Sequence, residues 1–220
     1  MARPAKMSRR QLYEEAARAF AVHGYAGASI QQLADAIGVN KSALYYYCPS
    51  KEQLLFEISR DAVERTLARV SSAVAGVEAP EMAIRVAVHA HLASLAETRY
   101  EHRVLMAELH SLAPEHRAQV ISLRDRYEAI WSELLHRGIE AGVLSDVDAK
   151  FARLAVLGVL NWVIYWYRPD EGPVDEMAER LAEFILGGLG AAGHPSVAAR
   201  RTRRRSATTP ARRLRGGKRI

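Results

Sequence analysis

Three sets of side chains in this 220-residue chain have types and spacings that could do chemistry. The first is His102, Met106 and His110, which recur every four residues and share one face of a helix. Such a face can hold a metal. With no cysteine and no paired acids at matching positions, however, these residues read as histidines that line a pocket or face solvent. His89 and His91 are two apart and point in different directions. The second is the lone Cys48, which leaves no partner for a disulfide within the chain and no cysteine-rich zinc site. There is no Ser or Cys nucleophile motif, no Gly-rich phosphate loop and no carboxylate pair at a defined spacing. The chain therefore reads as neither an enzyme nor the holder of a cofactor or metal. The third set is a crowded run of donors: Lys41, Ser42, Tyr45, Tyr46 and Tyr47, with Ser29 before it and Lys51 after it. Hydroxyls and ammonium groups donate to phosphate oxygens and to base edges, so this is the chemistry of nucleic-acid recognition.

The elements around that run fit the same use. In SIQQLADAIGVNKSALYYYCPSKEQL, residues 29–54, Ser29 is a good N-cap, and Ile30, Leu33, Ala34 and Ile37 recur at helical spacing. Gly38 stops this helix, because glycine tolerates the left-handed backbone of a sharp reversal. Ala34 is small enough to let a second helix cross close by. That second helix begins at Asn40 or Lys41, turns Leu44 inward and presents Lys41, Ser42, Tyr45 and Tyr46 outward. Tyr47 suits either packing or contact. Pro49 ends the helix, and Ser50 caps a third that has Lys51, Glu52 and Gln53 in its first turn. Two short helices joined by a glycine turn make a helix-turn-helix, whose second helix lies in the DNA major groove. Lys51 beside a helix N-terminus can join the free backbone N–H groups in holding a phosphate.

At these residues the chain resembles the N-terminal DNA-binding domain of the TetR family of bacterial transcriptional regulators, over roughly residues 8–56. The family's recognition helix ends in Leu-Tyr-x-His-Phe before a short turn and a lysine. Here Leu44, Tyr45, Tyr46, Tyr47 and Cys48 stand there, with tyrosine in place of the histidine and cysteine in place of the phenylalanine. The resemblance implies DNA contacts by Tyr45 and Tyr46 and phosphate contacts by Ser29 and Lys51. It also implies a helical C-terminal domain that binds a small effector and forms a homodimer through its last two helices, which a two-fold operator requires.

Composition agrees with a helical, cytoplasmic, DNA-binding protein. Nearly half of the residues are apolar, at 49%, and 220 residues are ample for a buried core. The longest uncharged apolar run, 154–167, is too short to cross a bilayer and contains Asn161, so no membrane segment is expected. The net charge of +6 is unevenly placed. Ten Lys or Arg and no acid lie in 200–220; without them 21 basic residues face 25 acidic ones, so residues 1–199 carry a net charge of −4. Positive charge for DNA must then be local, from Arg3, Lys6, Arg9, Arg10, Lys41 and Lys51, with the tail as a second source.

Periodicity gives an all-α chain of about nine helices: 8–23, the helix-turn-helix, a long helix from Ser50 to about 75, then 80–98, 100–112, 114–141, 146–167 and 174–189. The apolar face of the first includes Leu12, Ala16, Ala19, Phe20 and Val22. The long helix from Ser50 leaves the small head and enters the next domain as a lever. We divide the chain into a DNA-binding domain, 1–56, an effector-binding and dimerisation domain, 57–190, and a disordered basic tail, 191–220. The helix over 146–167 is apolar nearly all round, which suits a core or an interface. Its segment NWVIYWYRPDEGP is similar to one in family members that respond to acyl-CoA or other lipid-derived ligands. Candidate effector residues are His89, Met106, His110, Tyr127, Trp131, Asn161, Trp162 and Tyr165. Asn161 is a polar group in an apolar helix, and the aromatic residues serve packing or pocket. The expected function is an effector-responsive regulator, most simply a repressor released from a palindromic operator. The alternative is an architectural protein that coats DNA through its Arg-rich tail with little specificity.

Overall fold

The structure is a computed structural model and describes residues 8–168, 170 and 172–190. The N-terminal arm with Arg3 and Lys6, the turn residue Pro169 and the basic tail lie outside the described residues. Among those described there are nine α-helices and no β-strand; Leu144 and Gly190 form one isolated bridge.

The head consists of α1 (Arg9–His23), α2 (Ile30–Ile37), α3 (Lys41–Tyr47) and the start of α4 (Lys51–Val74). Each has a side-chain cap that fixes where it begins. Ser8 and Ser29 form capping boxes with Gln11 and Gln32, Asn40 Oδ1 accepts from the Ala43 N–H, and Ser50 Oγ accepts from the Gln53 N–H. Gly38 closes α2 in the left-handed region at φ 78°. Leu33, Ala34 and Leu44 are almost wholly buried, which joins the two short helices. Cys48 is buried just past the end of α3, and its Sγ donates to the Ser50 carbonyl at 3.1 Å. Burial pushes this thiol up to about 11, so it is protonated and unreactive. Val22 does not join the apolar face of α1: it is 69% exposed, while Tyr13 and Ala17 are buried. At 100° per residue Val22 lies on the side opposite Ala16 and Phe20.

The body is built on α4, whose 24 residues span about 36 Å. Around it pack α5 (Pro80–Glu97), α6 (Arg99–Glu108) with a 3-10 turn (Leu109–Ser111), α7 (Pro114–Glu140), α8 (Ala149–Trp166) and α9 (Val174–Leu189). Two apolar clusters form. One contains the head, α4 as far as Val63, Val104 and Leu105 of α6, Leu112 after the 3-10 turn and Val120 of α7. The other joins Val70 of α4 to α5, the second half of α7, α8 and α9. The lever is therefore clamped by the head's core at one end and by the body's core at the other.

Candidate nucleic-acid interface and buried cavity

α3 displays its polar residues outward. Lys41 and Ser42 are exposed at its first turn, and Tyr45, Tyr46 and Tyr47 are 44%, 87% and 37% exposed against 1% for Leu44. Three large aromatic rings in solvent on one seven-residue helix form a surface that expects a partner. Tyr46 and Tyr47 meet edge to face at 5.7 Å. Ser29 lies exposed at the start of α2, where its Oγ accepts from the Gln32 N–H and its own N–H donates to Gln32 Oε1.

Lys51 shows something spacing could not. Its ammonium turns back toward the α1–α2 loop and donates to the carbonyls of Tyr25, Ala28 and Ala26 at 2.8, 3.1 and 3.4 Å. It also sits 4.5 Å from the centre of the Tyr25 ring. All three of its donors are engaged. Lys51 thus staples the loop that carries Ser29 to the base of the lever.

The body contains a cavity of about 50 Å³, room for a few water molecules, walled by five helices. Its lining includes Val63 and Thr66 from α4, His91 from α5, His102 from α6, Tyr127 from α7 and Asn161 from α8. The polar walls are hydrogen-bonded to one another. Thr66 Oγ1 lies 2.7 Å from Ser94 Oγ and 3.1 Å from His102 Nε2. His102 Nδ1 lies 3.0 Å from the Thr98 carbonyl, and the Thr98 hydroxyl donates to the Ser94 carbonyl. The Thr66 hydroxyl also donates to the Ala62 carbonyl at 3.0 Å, and this network of Thr66, Ser94, Thr98 and His102 ties the lever to α5 and α6. Across the cavity His91 Nδ1 is 2.5 Å from the Tyr127 hydroxyl, which accepts from Trp131 Nε1–H at 2.7 Å. Burial holds His91 down to about 3 and His102 to about 4, so both rings are neutral; it also pushes the Tyr127 hydroxyl up.

Residues 5–58 match the family described as bacterial regulatory proteins, tetR family, and residues 78–189 match the tetracyclin repressor-like C-terminal domain. The chain belongs to the TetR family.

Relatives of this TetR-family regulator span most of its length. PfmR, a TetR family transcriptional regulator from Thermus thermophilus, is 40% identical with a TM-score of 0.74, over 81% of this chain and 97% of that one. The transcriptional repressor KstR2 of Mycobacterium tuberculosis (strain ATCC 25618 / H37Rv) is 26% identical over 186 residues, 82% of this chain and 92% of that protein. AibR, whose structure holds isovaleryl coenzyme A and operator DNA, is 28% identical with a TM-score of 0.70, over 82% of this chain and 97% of that one. The chain is thus a transcriptional regulator with a helix-turn-helix head.

The cavity gathers Met106, Tyr127 and Asn161 of the expected effector residues and not the others. His89 faces away on α5, 3.2 Å from Glu179 and 3.9 Å from Asp175. His110 is exposed on the 3-10 turn. Trp131 is fully buried behind Tyr127. Trp162 and Tyr165 lie on the outer face of α8, tilted against each other at 4.6 Å and 61% and 40% exposed, so of the two settings expected for this helix, core or interface, these two side chains are not in the chain's own core. Ala152, Val156, Leu160 and Val163 supply the one face of α8 that the chain itself covers. Sequence reasoning missed Thr66 and His91 as lining residues; His102, read there as lining a pocket or facing solvent, lines this one. A polar residue on the apolar face of a helix was the available signal. Among the described residues no group of three or more His, Cys, Asp or Glu gathers as a metal site, and no helix is long and apolar enough to cross a membrane.

Proposed function

We propose that the chain is a homodimeric repressor that leaves a near-palindromic operator when a small acyl thioester of the acyl-CoA class enters the body. The observation that carries this reading is that the wall of the cavity is the lever itself, through Val63 and Thr66. At about 50 Å³ the cavity is smaller than any acyl thioester, so such a ligand binds only by moving the walls. Val63 and Leu105 both line the cavity and belong to the head's apolar cluster. Separating α4 from α6 therefore displaces the head. The ligand favours the opened form, operator favours the closed one, and each weakens the other's binding by the same factor. Isovaleryl coenzyme A in AibR and the repressor role of KstR2 support the ligand class and the sign of regulation.

We assign residues 1–56 to the DNA-reading domain and 57–190 to effector binding and dimerisation. Lys41, Ser42, Tyr45, Tyr46 and Tyr47 meet the major groove or its phosphates, with Ser29 and the loop held by Lys51 on the flanking backbone. The second copy covers the outer face of α8 and α9, where Phe151, Leu154, Trp162, Trp166 and Phe184 are 43% to 66% exposed. Gly158, Gly187 and Gly188 have nothing within 4 Å of a Cβ position, which leaves room for close approach.

The test is ligand-dependent release. An operator selected from random duplex DNA is held at fixed salt and titrated with isovaleryl-CoA, a long-chain acyl-CoA and the free fatty acids. Release by a thioester and not by its free acid is the expected outcome. Tight palindromic binding that no thioester disturbs refutes the ligand class, and binding without sequence preference refutes the operator.

A further inference from the structure

We propose that the Nε2–H of His91 is a hydrogen-bond donor kept for a carbonyl oxygen of the effector. The inference rests on the reading of this cavity as the effector site. His91 is 1% exposed, its ring lines the cavity, and it stacks on Tyr127 with ring planes 18° apart. The proton count around Tyr127 decides which nitrogen carries hydrogen. The indole of Trp131 only donates, so it occupies a lone pair of the Tyr127 oxygen. The phenol proton is then directed to His91 Nδ1, the one arrangement in which the donors and acceptors of all three groups are complementary. That leaves hydrogen on Nε2, a buried atom with no partner among the described residues. Buried donors are almost always satisfied, so an unsatisfied one on a ring that lines the cavity points to a ligand.

The other cavity histidine sharpens the contrast. Both nitrogens of His102 are engaged within the protein, by Thr66 and by Thr98. Burial keeps the His91 ring neutral, so it offers a hydrogen bond and no charge. A neutral, buried donor suits the oxygen of a thioester or ketone, whereas a carboxylate would be stripped of water without gaining a counter-charge. Charge is available elsewhere in the lining, at Arg124, which has no ion pair among the described residues, while Glu128 is already paired with Arg153. The ligand class is therefore a compound that presents an uncharged carbonyl to His91 and holds its anionic portion away from it.

The test uses the full chain labelled with 15N-histidine. A two-bond proton–nitrogen spectrum reads the tautomer of His91, assigned by its disappearance in His91→Gln. Nε2–H in the free protein is expected, and Nδ1–H overturns the proposal without any ligand. Isovaleryl-CoA is then compared with its thioether, in which CH2 replaces the carbonyl. The thioester should shift the Nε2 resonance and bind about tenfold tighter than the thioether, a gap that falls below about twofold in His91→Phe and is partly kept in His91→Gln. Equal affinity of the two for the wild type overturns the proposal and leaves the thioester reading in place. If neither coenzyme A compound binds, 2-butanone separates the two ideas. A shift of Nε2 by this ketone keeps the His91 assignment and sinks the thioester reading; no shift by any carbonyl probe overturns the assignment.

Discussion

Mild acid should loosen the body of this protein, and the two cavity histidines set the size of the effect. In the folded chain His91 and His102 are held at about 3 and about 4 by burial, and the nearby His102 ring adds to the shift at His91. In the unfolded chain both return to about 6.5. Their contribution is thus fully present above about pH 6.5 and is lost as the pH falls, because the unfolded state takes up protons the folded state refuses. Between pH 7.5 and 6.0 each histidine removes about 0.8 kcal/mol, and the pair ~1.6 kcal/mol; near pH 5.5 the slope reaches ~2.5 kcal/mol per pH unit. Burial raises the Glu101 carboxyl, which opposes this trend in the window just above its ordinary value near 4.5, so the comparison belongs at pH 6.0 and above. The assay is urea unfolding followed by helical circular dichroism, at one protein concentration, at pH 6.0, 6.5, 7.0 and 7.5. His102→Gln removes one of the two sites and should halve the pH dependence to about 0.8 kcal/mol over that range, whatever it does to stability at pH 7.5. Stability that stays flat or rises on acidification, or a His102→Gln variant with the full dependence, refutes the claim that these rings are neutral and buried.

Three further outcomes follow from the head and the outer face. Tyr46→Ala should change stability by less than about 0.5 kcal/mol, because the side chain is 87% exposed, while operator affinity in a fluorescence anisotropy titration falls at least about tenfold; unchanged affinity would count against α3 as the reading helix. Lys51→Met removes three carbonyl contacts and the stacking on Tyr25. It should lower head stability by about 2 kcal/mol in a melt monitored without DNA, and a melt identical to wild type would show that the staple is idle. Trp162→Glu places a charge on the uncovered face of α8 and should give a monomer by sedimentation velocity at micromolar protein; a persisting dimer would place the interface elsewhere.

The head was legible in the sequence because its signals are local. Ser29, Gly38, Asn40, Pro49 and Ser50 each act on a backbone a few residues away, so caps and breaks can be read without knowing what packs on what. Leu44 inward with Tyr45 and Tyr46 outward likewise follows from the phase of one short helix. The ammonium of Lys51 was not legible in this way. Its partners, Tyr25, Ala26 and Ala28, lie 23 to 26 residues earlier, and the loop they form takes its shape only once α1 and α4 have packed. The cavity is further still from local control: Thr66, His91, His102, Tyr127 and Asn161 come from five helices, and their meeting depends on the phase of each.

The exposure of Trp162 and Tyr165 has a physical cause that also supports a second copy. A helix apolar on all sides carries no mark of which side its own chain will cover. In α8 the chain covers Ala152, Val156, Leu160 and Val163 with α5, α6, α7 and α9, with Arg103 of α6 reaching the Tyr165 ring at 5.9 Å, and no further helix among the described residues covers the side of Trp162. Tryptophan and tyrosine left there keep a large apolar area in water, at roughly 25 cal/mol per Å². A partner of the same kind, meeting α8 and α9 with its own, removes that exposure by two-fold symmetry. The same contact fixes the distance between two heads, and that distance is what a palindromic operator reads. In the proposed repressor, ligand entry beside Thr66 would act on DNA through geometry alone: the outer faces of α8 and α9 would hold the two bodies together, while α4 would carry the displacement from the cavity to the head.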